Sequence, residues 1–224
     1  MSTTATQPNA KSAVEEASPL THQLFQHHMN AMAVHYKTVN SNGAGPSHLY
    51  ALPIHLMHPV TASGNFAVPA PPAGAAKATL DAILNNSGTA TKGFAKNQRD
   101  FVQQQTDKLQ TTHDTAGFAD RMNAQRQKAK QDSDKQIDDT YNKLIDLGTK
   151  HPELQPHILT AAQKIGAFFL NLLTSVGAFF TNIYNKIVGW INSAVDWIKG
   201  AAAVAEQWLS GAVSSIGNFF SSIF

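Results

Sequence analysis

The chain has 224 residues, no cysteine, 42% hydrophobic and 14% charged residues, and a formal net charge of +2. The lack of cysteine excludes a disulfide scaffold, a Cys-ligated zinc site, an iron–sulfur cluster and a thiol nucleophile. A balance of 17 basic against 15 acidic residues gives no electrostatic reason to expect a nucleic-acid partner.

Residues 1–17 hold too few apolar side chains to offset the entropy of ordering them and are expected to be disordered. They contain no basic stretch followed by an apolar run, so export through a signal peptide is not expected. Ser18-Pro19 reads as a helix start, with Ser as N-cap and Pro at the first helical position. It opens a short helix over 18–37 that can bury Leu20, Leu24, Met32 and Tyr36 along one side. Residues 38–76 read as a Pro/Gly-rich linker, with Asn42-Gly43, Gly45-Pro46 and the run from Val68 to Gly74. A helical pattern returns at Leu80, Ile83 and Leu84 and is expected to stop at Asn86-Ser87-Gly88. Histidines 22, 27, 28, 35, 48, 55 and 58 crowd this part of the chain. His27, His28 and His35 lack an accompanying carboxylate or a metal-binding spacing, so no metal and no cofactor is read from them.

Charge is concentrated in the middle. Residues 91–164 carry 22 of the 32 charges, while residues 165–224 carry four, at Lys186, Asp196, Lys199 and Glu206. The region 77–150 is rich in helix formers, and Phe94, Phe101 and Leu109 step by seven and eight residues, which predicts one thin apolar seam on a long helix. Residues 123–136 are nearly all polar and suit a solvated arm or a weakly packed hairpin. Gly148, Pro152 and Pro156 predict a stop and a re-entry. The pairs Asp138-Asp139 and Glu15-Glu16 read as solvated carboxylates. No nucleophile, phosphate-loop or dinucleotide motif is present, so no catalytic residue and no enzyme activity is expected.

The region 151–224 carries the strongest pattern. From Ile165 the chain repeats every eleven residues: IGAFFLNLLTS, VGAFFTNIYNK, IVGWINSAVDW, IKGAAAVAEQW, LSGAVSSIGNF and FSSIF. Offsets 0, 3, 4 and 7 are apolar throughout, and eleven residues in three turns is about 3.67 per turn, so the stripe runs nearly straight along a helix. The opposite face holds Gly, Ser, Thr and Asn and almost no charge, whereas a water-facing helix ordinarily carries Lys, Glu and Arg. This combination points to a helix that meets lipid on one side and a partner helix, headgroups or water on the other. Sixty helical residues would span about 90 Å against a hydrocarbon core of about 30 Å, so the segment must fold back, protrude or lie flat. The candidate membrane-inserting residues are Ile165, Phe168, Phe169, Leu172, Val176, Phe179, Phe180, Ile183, Ile187, Trp190, Ile191, Ile198, Leu209, Val213, Ile216 and Phe220. Candidates for lining a water path are Asp196, Glu206, Asn171, Asn182 and Asn192. The plain alternative is the core side of a helical bundle, which requires an equally long apolar partner; the first two segments do not supply one unless the chain oligomerises or the stripe folds onto itself.

The blocks Ile165-Gly-Ala-Phe-Phe and Val176-Gly-Ala-Phe-Phe, with Trp in neighbouring repeats, resemble the eleven-residue aromatic repeats of phage tape-measure proteins. The layout as a whole is similar to bacterial α-helical pore-forming proteins, including antibacterial effectors of specialised secretion systems. That resemblance implies a protein soluble in the producing cell, delivered to a target-cell membrane, active as a homo-oligomer in a lipid bilayer and paired with an immunity protein. The expected fold is all-α, with long amphipathic helices and a C-terminal apolar helical hairpin. The tape-measure resemblance implies a structural helical assembly instead, and a peripheral membrane-binding helix is the third possibility.

Overall fold

A computed structural model of the chain describes residues 22–41, 50–51, 73–191 and 197–222. All regular structure among them is helical: α1 His22–Ser41, α2 Ala75–Thr112, α3 Thr115–Lys150, a 3-10 turn Pro152–Leu154, α4 Gln155–Ile191 and α5 Trp197–Ser221. The fold is all-α, as the periodicity of the sequence predicts. The expected disorder of 1–17, the helix start at Ser18-Pro19 and most of the linker 38–76 lie outside the described residues.

The four long helices form an up-down-up-down bundle in which each packs on its neighbours in sequence and α5 returns to α2. The corner between α2 and α3 is made by two residues. His113 takes a left-handed backbone, φ 54°, and its N–H bonds the Leu109 carbonyl; Asp114 then caps α3 by accepting a hydrogen bond from the Gly117 N–H at 2.8 Å. That amide and the nearby Arg121 hold the Asp114 carboxyl below the usual carboxylate range. At the α3–α4 corner the His151 N–H bonds the Leu147 carbonyl, and the buried Gln155 side chain donates to the Gly148 carbonyl at 2.9 Å. Proline opens the 3-10 turn, where a missing donor costs nothing.

Two local expectations are corrected. Helix α2 does not stop at Asn86-Ser87-Gly88 but runs through it. The Ser87 hydroxyl pairs with the Thr140 hydroxyl of α3 at 3.1 Å, and Gly88 leaves room for the Phe220 ring of α5, so two residues that favour turns in isolation serve as close-packing positions here. On α1, Leu24 is exposed; the buried face is Phe25, Met29, Met32, Tyr36 and Val39, stepping by four, three, four and three residues. The polar stretch 123–136 is not a solvated arm; of the two arrangements expected for it, the hairpin is the one found. It lies within α3 and is laced to α2 by Gln125 to Gln98 at 3.0 Å and by Gln136 to the Ala90 carbonyl at 3.5 Å.

Two apolar clusters share the bundle. One gathers α1 with Leu80 and Leu84 of α2, Ile137, Tyr141, Leu144 and Leu147 of α3 and the first half of α4. The other gathers Phe94, Ala95, Val102 and Leu109 of α2 and Phe118, Met122 and Ala129 of α3 with the second half of α4 and the buried face of α5. Each large side chain removed from water contributes about 1.5–3 kcal/mol.

Candidate functional site

The C-terminal repeats fold back as an antiparallel hairpin of α4 and α5. Phe168 stacks on Phe219 with ring centroids 4.2 Å apart, and Phe179 stacks on Trp208 at 4.3 Å. The Trp208 indole N–H donates to the Ser175 hydroxyl at 3.0 Å at the exposed edge of the hairpin, which satisfies the one polar atom of that ring.

The eleven-residue stripe is buried, and its cover comes from the same chain. On α4, Ile165, Phe168, Phe169, Leu172, Val176, Phe179, Phe180, Ile183 and Ile187 are all buried. On α5, Ile216 is buried, whereas Leu209, Val213 and Phe220 are half-buried. The side chains of Trp190, Ile191 and Ile198 lie outside the described part. The stripe folds partly onto itself, as one expected alternative has it, and the expectation that the preceding segments supply no further apolar cover is corrected. The thin seams of α2 and α3, each too narrow to cover a stripe alone, together form one wide apolar floor. Phe101 meets Phe180 edge to face at 6.4 Å, and Phe118 stacks on Tyr184 at 6.5 Å.

Several of the floor's polar groups bond within the α2–α3 hairpin itself. The Thr91, Thr106 and Gln98 side chains donate back to the carbonyls of Ser87, Val102 and Phe94, and Arg121 donates to Gln105 at 2.6 Å. These bonds stay within the α2–α3 hairpin, so the surface it offers the α4–α5 hairpin is apolar. At the rim, Arg99 of α2 pairs with Glu206 of α5. Glu206 is 59% exposed, so that pair is worth no more than about 1 kcal/mol.

Three of the residues expected to line a water path are among the described ones. Asn171 and Asn182 are exposed on the outer face of α4, Glu206 is held at the rim by Arg99, and Asn192 and Asp196 lie outside the described residues. Beyond Lys164, the outer face of α4 otherwise presents Thr174, Ser175, Ala178, Thr181 and Asn185, a surface without charge until Lys186. The outer face of α3 is the opposite, with Lys128–Asp132, Lys135–Asp139 and Lys150–Asp146 ion pairs at helical spacing.

Among the described residues, no group of three or more His, Asp or Glu side chains could hold a metal ion. One helical stretch there, Pro152–Ile187, is long and apolar enough to cross a bilayer by length and composition; an 18-residue part of it has a mean hydropathy of 1.4, and half of that part is buried inside the fold. The sequence places Met32 and Tyr36 on the buried side of α1 but misses Phe25, Met29 and Val39. Their signal was present in the heptad spacing from Phe25 to Val39, but Leu20 and Leu24 obscured the phase. Comparison with protein-family models, curated proteins and solved structures finds no match to this chain.

Proposed function

We propose that this chain is a non-catalytic, membrane-active protein of toxin or effector type, kept water-soluble by the α2–α3 hairpin, which inserts its α4–α5 hairpin into a bilayer and permits ion leakage. The observation that carries the reading is the Pro152–Ile187 stretch, apolar enough to span and uncharged from Ile165 to Asn185, held over an apolar floor. In a bilayer the stripe from Phe168 to Ile191 trades the floor for lipid. The Asn, Ser, Thr and Gly face then gathers towards a shared aqueous path in a homo-oligomer, where Asp196 and Glu206 are acids opposed by Lys186 and Lys199. On this reading the producing cell holds the protein in soluble form with an immunity protein, and specialised secretion delivers it to the target-cell membrane.

The chain's freedom from cysteine gives a clean test. A Cβ built at Gly88 lies 3.4 Å from the Phe220 Cβ, close to the separation a disulfide needs. The double variant Gly88→Cys/Phe220→Cys should lock α5 to α2. Purified wild-type protein should empty dye-loaded vesicles and give conductance steps in a planar bilayer. The oxidised double variant should be silent, and reduction should restore leakage. Leakage from the oxidised form would overturn the release of α5 as a required step.

A second reading is favoured by one observation: every described stripe residue of α4 already faces helices of its own chain. On that reading the repeats build a structural helical assembly, and the protein neither floats with vesicles nor empties them. Flotation without conductance would mark a peripheral membrane-binding helix.

A further inference from the structure

Helix α1 lies across the α3–α4 corner and packs on both helices, antiparallel to α3 and parallel to α4. Two of its aromatic rings fill glycine notches on different partners. The Phe25 ring sits against Gly148 of α3, and the Tyr36 ring sits against Gly166 of α4; a Cβ at either glycine would overlap the ring. The two rings are eleven residues apart, three helical turns, and so emerge on the same side of α1. Polar contacts fix the same arrangement: Tyr36 donates its hydroxyl to the Gln163 carbonyl at 3.1 Å, and Lys37 pairs with Asp138 of α3 at 2.6 Å. Beyond the helix itself, Gln163 donates to the Tyr50 carbonyl at 2.8 Å, tying the chain that follows α1 to α4 as well.

The position of α1 matters because of what it covers. Ile158, Leu159, Ala162, Ile165 and Phe169 of α4 share one apolar cluster with α1 and none of α1's buried residues reach the second cluster. The first half of the membrane-spanning candidate is therefore closed by α1 together with α3 and the start of α2, and the second half by the floor and α5 without α1. We infer that α1 is an autoinhibitory clasp: seated in the Gly148 and Gly166 notches, it holds the charged hairpin to the apolar one at their corner, and its displacement precedes release of α4. The inference rests on the membrane reading above and names the element that regulates it.

Gly166→Ala tests it with a single methyl group. Alanine favours helix at that position, so the substitution alone should strengthen α4, yet its Cβ collides with the Tyr36 ring and should unseat α1. Gly177→Ala on the same helix is the control, because a Cβ there meets nothing within 4 Å. In Gly166→Ala, α1 amides should exchange with solvent roughly tenfold faster than in wild type and vesicle leakage should quicken, with neither change in Gly177→Ala. Tyr36→Ala, which empties the notch and leaves α4 untouched, should do the same and serves if Gly166→Ala does not fold. Unchanged α1 exchange in both Gly166→Ala and Tyr36→Ala overturns the clasp as a contact. Faster exchange with leakage no quicker than an active wild type overturns its inhibitory role. Faster exchange with no leakage from any variant, wild type included, sinks the membrane reading and the inhibitory role with it, leaving α1 as a packing element.

Discussion

Tyr36 places a phenol in the seam between α1 and α4, with no exposed surface and its hydroxyl given to a backbone carbonyl. Burial disfavours the phenolate and pushes its pKa from 10.0 up to about 12; Tyr141, buried in α3 with its hydroxyl on the Ala162 carbonyl at 2.6 Å, is raised well above its ordinary value for the same reason. The unfolded chain loses these protons near pH 10, and the folded chain holds them to higher pH. Their contribution to stability is therefore complete below pH 10 and is lost as pH rises through the folded values. Tyrosinate absorbance should show two of the four tyrosines titrating late, and Tyr36→Phe should remove part of the alkaline loss of stability. Burial also separates the two faces of α4. Phe180→Ala should cost about 3–5 kcal/mol in urea unfolding, because it opens a cavity where α2, α3 and α4 meet. Asn182→Ala, on the exposed face two residues away, should change stability by less than about 0.5 kcal/mol.

At the scale of the helix, α2 and α3 combine a polar seam between themselves with an apolar floor towards α4 and α5. Gln98 is 1% exposed and accepts from Gln125 across that seam. Gln125→Ala leaves the Gln98 carbonyl buried without its partner and should cost about 1–3 kcal/mol, whereas Gln98→Leu/Gln125→Leu should cost less than the single change. Equilibrium unfolding of the two variants checks the order. These helices also show which features sequence could carry. The stripe from Ile165 to Phe220 is written in a strict period, so its helicity and its buried side follow from spacing alone. The floor has no such signature: Phe94, Val102, Leu109, Phe118 and Met122 are divided between two helices, and their sum exists only once His113 and Asp114 turn the chain back. Gly88 misleads for a related reason. Locally it weakens a helix, and only the Phe220 ring, more than a hundred residues away, explains why nothing larger stands there.

For the molecule as a whole, α2, α3, α4 and α5 each pack on their neighbours in sequence, α1 packs on α3 and α4, and the four-helix ring is closed by α2 meeting α5, which are separated by the two helices between them. That closure carries the Gly88–Phe220 contact and the Arg99–Glu206 pair, so the cross-link at Gly88 and Phe220 acts on the join with the longest loop to close. Under the proposed function, parting α5 from α2 is the opening that leaves the other helix pairs intact. The stacked rings of the C-terminal hairpin have a further consequence. Phe168 and Phe179 are eleven residues apart on α4, and their partners Phe219 and Trp208 are eleven apart on α5. Slide one helix by a single repeat, about 16 Å, and an aromatic ring again meets an aromatic ring. A ladder with equal rungs cannot mark its own zero, so the alignment of α5 is held by marks that occur once: the notch at Gly88, the guanidinium of Arg99 and the hydroxyl of Ser175.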